Sequence, residues 1–242
     1  TAAADSGSAT GDVTADVQKI IDAGVLKVGV KTDVPCFSLQ NTATGEYEGL
    51  EDDLAYNIAG KIFGCTPDEA KEKKLVEFQG VTAKTRGPLV ENGELDMVIA
   101  TFTITEERKE TYNFSTPYFT DAVGLLVLKD SGINSIEDLD GKVIGVAQGS
   151  TSQKGFEAYV AEKGINVKPT FEEFDGYPAL AAALSAKNID VFSVDRAILA
   201  GYRDDTNKLL DDRYAEQEYG VCTKKENTGL AELVDGVVTD LK

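Results

Sequence analysis

Asp96-Met97-Val98-Ile99-Ala100-Thr101-Phe102-Thr103-Ile104-Thr105-Glu106-Glu107-Arg108 decides the fold of this 242-residue chain. Met97 to Ala100 is a short apolar run of the kind that fills a parallel strand covered on both faces. Thr105 followed by two acids reads as an N-cap with a helix behind it. Strand, hydroxyl-rich turn and helix start together describe a ligand-facing edge of an open α/β sheet. The free N–H groups of such a turn attract a carboxylate, and Arg108, one turn in, is placed to grip it with two parallel hydrogen bonds. Taken alone, the segment fits equally a capped helix whose Arg108 pairs with Glu106 or another neighbour.

The surroundings favour the sheet edge. Upstream, Val17, Ile20 and Ile21 mark a short helix closed by Gly24, and Val25 to Val30 is a β-branched strand followed by the loop Lys31 to Phe37. Leu50, Leu54, Ile58 and Ile62 recur every fourth residue and predict a helix with one apolar face. Leu75 to Phe78 reads as a strand, and the next helix begins within Ala83 to Val90. Downstream, Ala122 to Leu128 opens a second round of the same grammar. Strands are predicted at Lys142–Val146, Val167–Phe171 and Ile189–Asp195, and helices at Phe156–Lys163 and Tyr177–Ala186. Tyr219 to Thr223 is a last strand, and Leu230, Val234, Val237 and Leu241 give a final amphipathic helix. Strand and helix alternate throughout, so two α/β units with parallel pairing and right-handed crossovers are expected.

Composition narrows the function. A net charge of -18 argues against nucleic acid or an anionic membrane surface as partner, while leaving room for a small cationic pocket. No run approaches the ~18 apolar residues of a membrane helix. Thr1 to Asp16 is small, polar and patternless, a flexible tether to be left out of the fold. Cys36, Cys65 and Cys222 lack the spacing of a metal or redox site and read as isolated packing thiols. The chain has no histidine, so no serine or cysteine has a histidine base, and no pair of carboxylates is spaced to demand acid–base chemistry. No cofactor or metal is implied.

Strand ends carry the candidate groups: Lys31; Thr101, Thr103 and Arg108; Ser150 and Thr151; and Asp195. A turn before a helix in each unit, one arginine and one aspartate suit a zwitterion, its carboxylate on Arg108 and N–H donors and its ammonium on Asp195. Asp195 could instead cap the helix that follows at Arg196.

Four stretches together resemble the polar amino-acid-binding proteins of bacterial ABC importers, with their type II periplasmic-binding-protein fold. They are Gly49-Leu50-Glu51-Asp52-Asp53-Leu54-Ala55, Thr103 to Arg108 with Asn113-Phe114-Ser115-Thr116-Pro117-Tyr118, Gly145-Val146-Ala147-Gln148-Gly149-Ser150-Thr151, and Asp190 to Asp195. The resemblance implies an α/β clamp of two lobes, each a mostly parallel sheet flanked by helices, joined by a two-strand hinge. Lobe 1 would comprise residues 17–120 and 217–242, and lobe 2 residues 121–216. It further implies the α-carboxylate on Arg108, Thr103 and the Thr151 backbone, and the ammonium on Asp195 and the Thr101 carbonyl. Ala83-Lys84-Thr85-Arg86-Gly87-Pro88-Leu89 looks like the aspartate/glutamate-binding subgroup, in which Arg86 would meet the ligand's side-chain carboxylate. Lys31 and the Asp33-Val34-Pro35 loop are similar to that subgroup too, whereas Cys36 sits at a variable position. Phe37 would either stack on the ligand or pack in the lobe 1 core. The expected protein is a monomeric, extracytoplasmic receptor, in the periplasm or lipid-anchored to the outer face of the cell membrane, that hands an acidic amino acid to an ABC permease and does no chemistry. A receptor for glutamine or cystine, or a dehydratase-like enzyme on the same fold, is the alternative.

Overall fold

A computed structural model describes residues 13–242. Numbered in chain order, the first sheet and its helices are built from α1 (Ala15–Ala23), β1 (Leu26–Val30), α2 (Leu50–Phe63), α3 (Pro67–Glu72), β5 (Val76–Gly80), α4 (Arg86–Glu91), β6 (Met97–Val98), α5 (Glu106–Thr111), β7 (Tyr112–Phe114), β14 (Cys222–Lys224) and α9 (Thr228–Asp240). A small antiparallel sheet of β2 (Asp33–Val34), β3 (Ser38–Gln40) and β4 (Tyr47–Glu48) follows β1. The second unit contains β8 (Phe119–Leu128), β9 (Val143–Ala147), α6 (Ser152–Lys163), β10 (Thr170–Phe174), α7 (Tyr177–Ser185), β11 (Val191–Asp195), α8 (Arg196–Ala200), β12 (Asn207–Leu209) and β13 (Tyr214–Tyr219).

The strand orders are β5-β1-β6-β14-β7 and β10-β9-β11-β8-β12, with β13 added on β8. Three strands in each sheet run parallel, which brings the C-terminal ends of β1 and β6, and of β9 and β11, side by side. The remaining strands pair antiparallel, so each sheet is mixed where the sequence suggested mostly parallel pairing. Ala122 to Leu128 explains the difference: every one of these residues is buried, and an apolar run records that both faces are covered, not which way the neighbours point. The β8 and β13 strands run side by side from Phe119 opposite Tyr219 to Val123 opposite Tyr214, carrying the chain between the two sheets. Residues 121 and 217, the expected lobe boundaries, lie inside this ribbon.

Leu54, Ile58 and Ile62 of α2 pack against Leu26, Val28, Met97 and Ile99, with Leu230 and Val234 of α9 in the same core. Leu50, predicted on that apolar face, is instead 46% exposed, and Glu51 and Asp52 are buried. The helix start is fixed by a close crossing. Glu51 N–H donates to the Phe37 carbonyl at 2.9 Å, and a Cβ on Gly49, which has φ 151°, would stand 2.2 Å from that oxygen. Only glycine fits there.

Part of the expected tether, residues 1–12, lies outside the described residues. Ala15 and Asp16 belong to α1, and the Asp16 carboxylate accepts the Leu230 N–H at 2.8 Å. The final strand predicted at Tyr219–Thr223 is two strands in different sheets, interrupted at Gly220 and Val221. Of the three thiols Cys222 is buried and Cys65 partly so, but Cys36 is exposed and is no packing residue.

Candidate functional site

The opening stretch folds as its residues suggest. Thr105 caps α5, its hydroxyl accepting the Arg108 N–H at 3.1 Å. Arg108 reaches back, donating to the Thr103 carbonyl at 2.7 Å and, across the cleft, to the Gly149 carbonyl at 2.9 Å. Glu106 is taken by Lys109 and Glu107 by Lys154, so Arg108 is not a partner of its helix neighbours. Arg86, the first residue of α4, is 3% exposed and donates to the Ala100 and Thr101 carbonyls at 2.6 and 3.2 Å, while its Nε has no partner. The guanidiniums of Arg86 and Arg108 lie 4.2 and 4.6 Å from the centroid of one ring, Phe102. Both stack as cations on an aromatic face, an arrangement worth most where water is excluded. Burial and the neighbouring Arg86 push the Arg108 guanidinium down to about 9, which leaves it charged at neutral pH. Among the described residues, neither arginine forms an ion pair with a carboxylate.

Lys31, at the end of β1, is 1% exposed, 3.3 Å from Asp33 and 4.4 Å above the Tyr177 ring of the second lobe. Burial lowers its pKa and Asp33 opposes that. Asp195, at the end of β11, does not cap α8; Asp121 accepts the Ala197 N–H at 2.7 Å in its place. The Tyr219 hydroxyl donates to Asp195 at 2.5 Å. Burial raises the Asp195 carboxyl to about 7 and Asp121 adds to the rise, while the Tyr219 hydrogen bond and the fields of Arg86 and Arg108 oppose it. Thr101 adopts φ 45°, a left-handed conformation that a threonine takes only when held. Glu51 holds it: one carboxyl oxygen accepts the Thr101 N–H and the Tyr118 hydroxyl, both at 2.6 Å. Burial raises Glu51 to about 8.

A cavity of about 730 Å³ opens between the lobes, lined by Phe102, Thr103, Arg108, Ser150, Thr151 and Gln217 among others. Lys31, Arg86, Thr101 and Asp195 lie buried and outside its lining, and the fields of both arginines reach Asp195. Phe37 adjoins this group through Tyr219, whose hydroxyl meets Asp195, and shares a core cluster with Tyr177, the ring beneath Lys31. It packs edge-on against Phe119 and Tyr219 at 5.0 and 5.9 Å, in an aromatic cluster on the connecting ribbon and not in the lobe 1 core. Sequence reasoning passed over Phe102, Glu51 and Gln217. Phe102 lay in view, an aromatic between two threonines of the deciding stretch. Glu51 looked like any acid in a helix's first turn, and Gln217 had no local signal.

Residues 26–242 match the bacterial extracellular solute-binding proteins, family 3, and the chain belongs to that family. It is 41% identical over 216 residues to a glutamine-binding protein of Geobacillus stearothermophilus, covering 88% of this chain and 78% of that protein. It is 32% identical over 239 residues to the glutamate-binding protein GluB of Corynebacterium glutamicum, covering 94% of this chain and 75% of that protein. Among solved structures, an ancestral arginine-binding protein bound to arginine superposes with a TM-score of 0.75 at 30% identity, covering 90% of this chain and 92% of that one. The two-lobed α/β fold is therefore that of the periplasmic binding proteins, and the chain is an extracytoplasmic solute-binding receptor and not an enzyme. Among the described residues, no helix is long and apolar enough to cross a membrane.

Proposed function

We propose that this receptor binds an acidic amino acid, aspartate or glutamate, between lobe 1 (17–120 with 217–242) and lobe 2 (121–216) and delivers it as a monomer to an ABC permease. Its small, polar lead-in fits a tether to the outer face of the membrane. One observation carries the ligand class: the buried guanidinium of Arg86 and the half-buried one of Arg108 lie on one ring, and neither has a carboxylate partner among the described residues. A buried cation without a counter-charge is costly, and a ligand with two carboxylates relieves both. In this reading the α-carboxylate lies on Arg108 and the N–H groups at Thr103 and the start of α6 beyond Ser150 and Thr151. The ammonium lies on Asp195 and the Thr101 carbonyl, and the side-chain carboxylate on Arg86 with Lys31 behind it. Glutamine is the second reading, supported by relatives at 41% and 35% identity that are glutamine-binding proteins. It is supported also by Asp33, whose buried Oδ1 has no hydrogen bond and stands 3.3 Å from Lys31: an acceptor beside a donor suits a carboxamide.

Titration calorimetry with glutamate, aspartate, glutamine, asparagine, cystine and arginine separates the two. The acidic reading expects glutamate or aspartate to bind more tightly than the matching amide by at least ~2 kcal/mol, the cost of leaving a buried guanidinium unpaired. It expects Arg86→Ala to shrink that margin. A wild-type preference for glutamine rejects the acidic ligand and leaves an amino-acid receptor of the second kind.

A further inference from the structure

Gln217 joins the lobes through a single atom. It lies on β13, in the connecting ribbon, and is 3% exposed. Its Oε1 accepts the Thr103 hydroxyl from the first lobe at 2.7 Å and the Thr151 hydroxyl from the second at 2.6 Å. Its Nε2 donates to the carbonyls of Ala215 and Glu216 at 2.7 and 3.2 Å. Those two carbonyls fix which end of the amide is oxygen, since a reversed amide would set oxygen against oxygen.

The backbone that Gln217 braces is irregular. Ala215 has φ 49°, and the pairing with β8 shifts register between Tyr214 and Glu216. A bulge of this kind re-aims the chain at a strand end and is kept only where something holds it. The α6 helix rests on it: a Cβ on Gly155 would come 2.8 Å from the Ala215 methyl group. Thr151 immediately precedes α6, so the bulge, the helix and the hydroxyl are parts of one contact. On the other side Thr103 is tied to β13 by a bridge to Tyr219, with the Ile104 N–H on the Glu218 carbonyl at 2.8 Å. Thr103 and Thr151 thus reach one oxygen from opposite lobes, and parting the lobes must break one of the two bonds.

Each hydroxyl has one proton, and both protons are spent on Gln217. Thr103 and Thr151 then offer the cleft lone pairs and no side-chain donor, so a ligand carboxylate gains nothing from them directly. We propose that Gln217 is the positioning residue of the clamp, a latch whose carboxamide oxygen holds both hydroxyls only when the lobes are closed and so tightens binding of every ligand alike. The proposal rests on the reading of the cleft as an amino-acid site, but on neither choice of side chain.

The test uses whichever amino acid binds the wild type most tightly, and a second that binds measurably. Gln217→Met, close to isosteric and without the amide, should raise Kd about tenfold for both ligands, in the same ratio, mostly through faster dissociation, because a lost hydrogen bond weakens the closed state alone. Thr151→Val should give a similar loss, Thr151→Ser should restore it, and Gln217→Met with Thr151→Val should lose little more than either alone. Losses that add in the double variant would mean that Thr151 meets the ligand itself, and would overturn the latch. So would a Kd for Gln217→Met within twofold of wild type, or a loss confined to one ligand. Should Gln217→Met not fold, the Thr151→Val and Thr151→Ser pair decides, with faster dissociation restored by serine expected. If no amino acid binds the wild type, the proposed function fails while the latch is still read from spin-label distances across the lobes of the free protein. There the closed population should fall in Thr151→Val, and an unchanged distribution would overturn it.

Discussion

The two lobes face the cleft with different charge and different readiness. In the proposed reading the first contributes Arg108 at the cavity wall with Lys31 and Arg86 buried behind it, already held by carbonyl oxygens, by Asp33 and by the Phe102 ring. The second contributes one acid, Asp195, whose carboxyl burial raises to about 7. A surface arranged in this way can receive an anion on the first lobe before the second arrives. In the proposed reading an ammonium brought against the acid of the second lobe favours its charged form. We therefore expect the ligand to settle on the first lobe and closure to complete the charge balance.

The sharpest way to break that division is to remove one charge from each side. Arg108→Ala and Asp195→Ala should each abolish measurable binding while leaving the circular dichroism and thermal unfolding of a folded protein. Each leaves the opposite charge of the ligand buried and unpaired, which costs about 3–5 kcal/mol, or roughly two to four decades in affinity. A variant of either kind that binds within a few-fold of wild type would show that the zwitterion is held elsewhere.

Acidity tests the second lobe more gently. If Asp195 holds the ammonium as proposed, it must be ionised to do so, and its pKa raised to about 7 means that a proton leaves on binding in more acidic solution. Affinity should fall about tenfold for each pH unit below 7 and level off above it. Calorimetry below pH 7 in buffers of different ionisation enthalpy should register proton release. Stability of the free protein should run the other way. Asp195, Asp52 and Glu51 are raised to about 7, 7 and 8, above their unfolded values, so the folded chain binds more protons from about pH 4 upward. Their contribution to stability is therefore whole in acid and is lost as pH rises through 7 and 8. Urea midpoints that rise with pH across this window, or an affinity independent of pH between 5 and 8, would count against this account of Asp195.

Much of this arrangement could be read from residue order, and the parts that could not share a cause. Periodicity placed α2, α9 and the parallel strands because each buries a face whose pattern is local. The α5 start and Arg108 were legible because a cap, two acids and a cation lie within a single turn. The small sheet β2-β3-β4, the two strands read as one around Gly220, and the direction of β8 were not, since two- and three-residue strands have no period and pairing direction is decided by distant partners. The same holds for the site. Asp195 stood at a strand end, but Asp121, which frees it from capping α8, is 74 positions earlier in the numbering and adjacent only in space. Gln217 meets Thr103 across 114 positions, and Glu51 meets Thr101 across 50.

The smallest expected effect lies at the cleft's rim. Lys154 of α6 meets Glu107 of α5 at 2.8 Å, an ion pair between the lobes whose side chains are 76% and 77% exposed. Glu107 is held below its ordinary pKa by this lysine, which shows that the charges sense each other but says little about closure. Two long side chains must be immobilised in water, and salt screens charges beyond ~10 Å at 0.1 M, so such pairs contribute little. The Thr151 bond to Gln217 differs in kind: its acceptor belongs to a side chain that is 3% exposed, so water competes for it far less than for the rim pair. Lys154→Ala should accordingly change Kd by less than about twofold at moderate salt, and the difference should vanish at high salt. A tenfold loss that persists in high salt would move the work of closure from the buried groups to the rim, and with it the contrast between a prepared first lobe and a second that completes the site.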